Sequence, residues 1–142
     1  MENKCPNQPF LVLMQTSKAI QERLRLEIAK SNVSLTEFSV LEVLYHKGKQ
    51  TIQQIGSSIL ISSGSMTYVI DKLEQKGLLK RNACPEDRRV IHVTLTDNGL
   101  DLIKKIMPRH QEQVDYMFGA LNNDDSQAMV RYLKKVNERA ES

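Results

Sequence analysis

Between Thr51 and Thr96 the apolar period of the chain changes once, and that change restricts the fold more than any other feature. "TIQQIGSSIL" puts Ile52, Ile55 and Ile59 on one helical face, with Thr51 and Gln54 spaced as a capping box. In such a box each residue's side chain satisfies a backbone donor of the other. "SSGSMTYVIDKLEQKG" keeps the helical period through Met66, Val69, Ile70 and Leu73, and Gly77 ends it. Two short helices joined tightly at Ile61-Ser62 make a helix-turn-helix. The period then shortens. Val90, Ile91, Val93 and Leu95, with Thr94 and Thr96, have strand composition, and Leu78 and Leu79 supply a partner across the turn-rich "NACPEDRR". Residues 34–96 therefore read as a winged helix-turn-helix.

The flanks are helical. Phe10, Leu13, Met14, Ile20, Leu24 and Ile28 form a stripe about twenty residues long. Ser34 and Glu37 make a further capping box, ahead of Phe38, Leu41, Val43 and Leu44, with Gly48 as the stop. After the wing, Thr96 opens a long helix with an expected bend at Pro108, where a backbone donor is missing. The last helix carries Met129, Val130, Leu133 and Val136. The fold class expected is mainly α with a small β-wing: about six helices and a two- to three-stranded hairpin sheet. Three segments follow, an N-terminal dimerisation helix (1–33), the winged DNA-binding domain (34–96) and C-terminal dimerisation helices (97–142). Apolar positions outside the middle block, including Val114, Met117, Phe118 and Leu121, are better matched to a homodimer than to one chain's own core.

Composition narrows the function. The chain of 142 residues is 40% apolar and 26% charged, which suits one soluble domain. It holds no apolar run of membrane-spanning length, and "MENKCPNQPF" lacks the pattern of a signal peptide, so a cytoplasmic location and no membrane partner are expected. Net charge is +3. From Lys76 to His92, five cations (Lys76, Lys80, Arg81, Arg88, Arg89) face only Glu86 and Asp87. That surplus of three equals the net charge of the whole chain. Two cysteines and three histidines show no metal-ligand spacing, and phosphate-loop, serine-hydrolase and zinc-protease motifs are missing. Neither an enzyme nor a cofactor is expected.

At 100° per residue, the second helix of the pair buries Met66, Val69, Ile70 and Leu73. Its other side presents Gly64, Thr67, Tyr68, Asp71 and Gln75, with Ser65 and Lys72 on one flank. Small residues at its N-terminal end (Ser62, Ser63, Gly64, Ser65) suit a helix tip in the major groove of double-stranded DNA. Backbone N–H groups and hydroxyls there can meet phosphates or base edges. Asp71 lies too far along to read bases and is expected to hold a basic neighbour. The wing tip offers Arg88 and Arg89 to the narrow minor groove, which concentrates negative potential. Asp87 is expected to pair an arginine and aim it, since a free carboxylate would repel phosphate.

These residues resemble the MarR (multiple antibiotic resistance regulator) family of bacterial transcription factors. The wing signature Asp-x-Arg, then apolar-x-Leu-Thr-x-x-Gly, appears as Asp87-Arg88-Arg89 followed by Val93-Thr94-Leu95-Thr96 and Gly99. The recognition-helix signature Leu-Glu-x-x-Gly-Leu appears as Leu73-Glu74-Gln75-Lys76-Gly77-Leu78. The resemblance implies that Arg89 enters the groove while Arg88 serves phosphate. It also implies an intertwined dimer with two recognition helices about one DNA turn apart. "LYHKG", "QQIG", "SGSMTYVIDKLEQKGLL" and "EDRR" look most like hydroquinone- and quinone-responsive repressors of Gram-positive bacteria. One departure is Tyr68, where many relatives carry arginine.

The function expected is a homodimeric repressor released from a pseudo-palindromic operator by a phenolic or quinone-like aromatic effector. Two rivals stand beside it. Cys84 lies near Lys80, Arg81 and Arg88, and basic neighbours activate a thiol, so a redox-sensing repressor is the first. A winged-helix module for protein contact is the second.

Overall fold

A computed structural model of the chain describes residues 7–59 and 65–142. In order, these form α1 (Gln8–Ala29), α2 (Leu35–Lys47), β1 (Gln50–Thr51), α3 (Ile52–Ser58) and α4 (Met66–Gln75), then β2 (Leu79–Ala83), β3 (Ile91–Leu95), α5 (Asp97–Phe118) and α6 (Asn123–Glu141). The chain divides into two compact units, residues 1–110 and 111–142.

The first unit is built around α2. Every residue from Leu35 to Leu44 except Glu42 is buried, as happens only to a helix enclosed on all sides. α1, α3, α4 and β3 pack against it. They bring Leu24, Ile28, Ile55, Val69, Ile70, Leu73 and Val93 to the core, which Ile103 and Ile106 of α5 extend. Each such side chain stabilises the fold by about 1.5–3 kcal/mol. Both expected capping boxes form. The Ser34 hydroxyl accepts the Glu37 N–H at 3.0 Å while the Glu37 carboxylate accepts the Ser34 N–H at 2.8 Å. Thr51 and Gln54 make the same exchange at 3.1 and 2.9 Å.

Some expected core positions differ. The α1 stripe splits: Leu24 and Ile28 are buried, whereas Phe10, Leu13 and Met14 are exposed. Met66, at the first turn of α4, is only half-buried, and so are Ile52 and Ile59 at the ends of α3. A residue at the end of a short helix has neighbours on one side only.

The sheet has the order β1-β3-β2, with both pairs antiparallel. β2 begins at Leu79, one residue later than expected, and runs to Ala83 inside the string read as a turn. Asn82 pairs with His92 and Ala83 with Ile91, and the Cys84 N–H donates to the Val90 carbonyl at 2.9 Å. The ladder thus continues until Pro85 leaves it without a donor. β1 adds the third strand, Gln50 opposite Val93 and Thr51 opposite His92. It fixes the start of α3 to the wing.

Gly77 ends α4 with a left-handed φ of +75°. Its N–H donates to the Glu74 carbonyl at 2.9 Å and the Leu78 N–H to that of Leu73 at 3.0 Å, a Schellman motif. The start of α5 closes on the same point. The Thr96 hydroxyl donates to the Gly77 carbonyl at 2.6 Å and accepts the Gly99 N–H at 3.1 Å. A Cβ built on Gly99 would lie 1.9 Å from the Leu78 carbonyl oxygen. Pro108 falls inside α5 and does not end it.

In the second unit, the Asn122 side chain caps α6 by accepting the Asp125 N–H at 2.8 Å. No residue of α6 is buried: Met129 is half-buried, and Val130, Leu133 and Val136 are exposed.

The packing of the first unit can be tested at two positions. Gly99→Ala meets backbone rather than a movable side chain, so it should cost at least about 1–3 kcal/mol in urea unfolding; wild-type stability would show that α5 can shift freely. The second position is His110, whose ring packs 4.7 Å from Phe38 and whose Nε2 lies 3.9 Å from the Glu42 carboxylate. Its Nδ1 is buried without a partner. Burial holds this imidazole below its ordinary 6.5, against the opposing pull of Glu42. The unfolded chain then binds the extra proton first, so stability should fall as pH drops below about 6.5 and toward the folded-state value. Unfolding measured from about pH 7.5 to 5.5 should show that slope, and His110→Phe should flatten it.

Candidate nucleic-acid interface

α4 has two faces. Val69, Ile70 and Leu73 are buried, while Ser65, Thr67, Tyr68, Lys72 and Gln75 are exposed. Ser65 is the N-cap, its hydroxyl facing the Tyr68 N–H at 3.5 Å. Tyr68 is 60% exposed, and the Lys72 ammonium lies 5.6 Å from its ring centroid, within cation–π reach. The outward face therefore presents an aromatic ring with a positive charge beside it. Ser62, Ser63 and Gly64, with the Ile61-Ser62 turn, lie outside the described residues.

The wing turn occupies residues 84–90. Arg89 and Asp87 meet as a fork: Nε reaches Oδ1 at 3.1 Å and Nη2 reaches Oδ2 at 3.3 Å. The Arg89 N–H also donates to Oδ1, at 3.0 Å. The side-chain bond first, then the backbone bond, holds the Asp87 carboxyl below the usual carboxylate range. Arg89 nevertheless stays 91% exposed, so the fork sets its direction without withdrawing it from solvent. Arg88 is exposed and pairs with no carboxylate among the described residues. A shallow groove of about 350 Å³ runs between the start of α3 and the wing, lined by Thr51, Ile52, Gln53, Arg89, Val90 and Ile91.

Two of the five cations counted in this segment are paired with carboxylates of neighbouring elements. Lys76 donates to the Asn32 carbonyl at 2.8 Å and pairs with Glu37 at 3.0 Å, tying the end of α4 to α2. Arg81 of β2 binds Glu74 at 2.8 Å through Nη1 and pairs with Asp71 through Nη2. The basic neighbour expected for Asp71 is thus Arg81. Counting charges along the sequence missed this. The strand alternation held the signal, because Arg81 shares a sheet face with buried Leu79 and sits opposite Val93. Lys80, Arg88 and Arg89 remain as the outward cations.

Cys84 is half-buried at the foot of the wing, and Cys5 lies outside the described residues. Among the described residues no group of His, Cys, Asp and Glu could hold a metal ion, and no helix is long and apolar enough to cross a membrane.

The model of the MarR family matches residues 33–91. The chain is 44% identical to the HTH-type transcriptional regulator MhqR of Bacillus subtilis, covering 92% of this chain and 90% of that one. The chain belongs to the MarR family. It also resembles the solved structure of Bordetella bronchiseptica BpsR, with a TM-score of 0.80, 26% identity and coverage of 92% and 99%. A cysteine-to-serine mutant of Escherichia coli MarR, solved with operator DNA, matches in fold, with a TM-score of 0.79, 21% identity and coverage of 91% and 87%. This MarR-family protein is a transcriptional regulator with a DNA-binding winged helix, not an enzyme. Much of the family's signature here is architectural: Gly77, Leu78, Thr96 and Gly99 form the backbone joint of α4 and α5.

Lys76 belongs to that architecture as well. Glu37 keeps only 9% of its side chain exposed, so Lys76→Met strands a carboxylate beside the core. Lys76 itself is 38% exposed, which limits the loss to about 1–2 kcal/mol. Chemical denaturation should read this loss, and Glu37→Gln should restore part of it in the Lys76→Met background.

Proposed function

We propose that the protein is a homodimeric repressor that holds a pseudo-palindromic operator and releases it when a phenolic or quinone-like molecule binds. The observation that carries the DNA reading is the wing tip. Arg89 is forked to Asp87 yet stands 91% exposed, on the domain whose recognition helix presents Thr67, Tyr68 and Lys72 outward. An arginine aimed by a carboxylate suits a narrow minor groove, and Arg88 beside it suits phosphate. Ser62, Ser63, Gly64 and Ser65 complete the candidate contacts at the tip of α4.

Dimerisation draws on apolar exposure. Phe10 to Met14 on α1 and Val130, Leu133 and Val136 on α6 stand open to solvent, more than isolated surface positions account for. With 1–33 and 97–142 pairing two copies, two 34–96 domains can read half-sites about one helical turn apart.

The effector class rests on likeness to MhqR and on the quoted strings of the DNA-reading half. BpsR, whose DNA binding is described as regulated by 6-hydroxynicotinic acid, offers a precedent for a small aromatic ligand. An effector needs to favour the non-binding state by only a few kcal/mol.

The test uses DNA that the protein selects from random duplexes. Sedimentation should give about twice 16.3 kDa. Arg89→Ala should weaken binding by on the order of 1–3 kcal/mol and Arg88→Ala by less, each flattening the salt dependence. Asp87→Ala should also weaken it, although it removes a negative charge. If all three folded variants bind like wild type, the wing is not a DNA element and a protein-contact module gains. Cys5→Ser with Cys84→Ser should still release DNA to a hydroquinone kept reduced. Retained binding that answers no compound would move the trigger to a thiol.

A further inference from the structure

Arg81 lies where the pleat calls for a core residue. Leu79, Arg81 and Ala83 share one face of β2, and that strand packs on α4. Asp71 and Glu74, three residues apart, stand on one side of α4 and meet the guanidinium together. Nη1 donates to Glu74 Oε1 at 2.8 Å, Nη2 pairs with Asp71, and the Arg81 backbone N–H donates to Glu74 Oε2 at 3.1 Å. The strand thus holds the helix through both main chain and side chain. With 25% of its side chain exposed, Arg81 is less open than either carboxylate, at 48% and 39%.

We propose that Arg81 is a positioning residue for operator binding, a clamp through Asp71 and Glu74 that fixes the recognition helix to the wing so that both meet DNA in one geometry. This rests on the DNA reading above. The geometry favours it over a direct phosphate contact, because two carboxylates already neutralise the guanidinium and only 25% of the side chain is exposed. Asp71 and Glu74 lie about one helical turn apart, so the guanidinium holds α4 at two points along its axis. β2 leads directly into the wing turn that carries Arg88 and Arg89, so an error at Arg81 is passed to the tip.

The clamp competes with a simpler role, shielding DNA from the charges of Asp71 and Glu74. Signs separate the two. Arg81→Met exposes both carboxylates and should weaken operator binding in either case, about tenfold or more. The triple variant Arg81→Met, Asp71→Asn, Glu74→Gln has a net charge one unit more positive than wild type. Shielding alone makes it bind at least as well as wild type, and that result overturns the proposal. A clamp leaves it at least several-fold weaker on operator while its affinity for random DNA is maintained. Coupling gives a second readout. Arg89→Ala should cost clearly less in the Arg81→Met background than in wild type, because the wing is then already misplaced. Equal losses in both backgrounds overturn the clamp while leaving the wing a DNA element. No loss from Arg89→Ala in either background instead refutes the DNA reading of the wing. Cooperative thermal unfolding of every variant confirms that the comparison is between folded proteins.

Discussion

The chain crosses itself at backbone distance where α4 ends and α5 begins, and the placement of the other elements depends on that crossing. Gly77 turns left-handed, which lets the chain leave the helix through Leu78 and enter β2 at Leu79. Thr96 then returns from β3, donates its hydroxyl to the Gly77 carbonyl and its N–H to the Leu78 carbonyl, and caps α5. One threonine therefore satisfies polar groups of the strand exit, the helix stop and the helix start. Unsatisfied and buried, each group would cost about 1–3 kcal/mol. The geometry also explains the choice of glycine: α5 reaches the joint only where no Cβ stands in its way.

Around this joint, charge is sorted by geometry rather than by position in the sequence. Lys76 and Arg81 lie four and nine residues after Lys72, yet they turn inward to Glu37, Asp71 and Glu74 while Lys72 stays outside. Asp71 stands half-exposed beside the face that carries Tyr68 and Lys72, and Arg81 neutralises its charge there. On α4, β2 and the wing turn, the outward cations are thus Lys72, Lys80, Arg88 and Arg89. A narrow field is more useful for orientation than a diffuse one, since non-specific attraction to DNA scales with the number of phosphates neutralised.

The elements were legible in the sequence because their signals are local. Capping boxes at Ser34 and Thr51, the stop at Gly77 and the β-branched run at Ile91 act within a few residues. The inward face of α4 at Val69, Ile70 and Leu73 followed from period alone. What escaped the sequence depends on partners distant along the chain. The extra length of β2 comes from pairing across the turn, the inward fate of Lys76 from Glu37 thirty-nine residues earlier, and the half-exposure of Met66 from its place at a helix end. At the candidate site, the fork of Asp87 and Arg89 is local and could be anticipated. The Arg81 cluster joins strand to helix and could not be read by counting charges.

The exposed apolar surface carries the last step. From Phe10 to Met14 five consecutive residues are apolar, and each is 37% to 62% exposed. At 100° per residue, five positions go more than once around a helix, so no single face can cover them. A helix apolar on all sides is stable in water only when it is enclosed on all sides. α2 meets that condition within its own unit, where Leu35 to Leu44, Glu42 apart, are buried by neighbours. The first turns of α1 do not. Nor does α6, where Val130, Leu133 and Val136 recur at helical spacing without one being buried. Burial yields about 25 cal/mol per Å² of apolar surface, so segments of this kind hold a large unrealised stabilisation. A second copy would bring the same segments with it, and a two-fold axis would let each complete the other. This supports reading both ends of the chain as the parts that pair two DNA-binding domains.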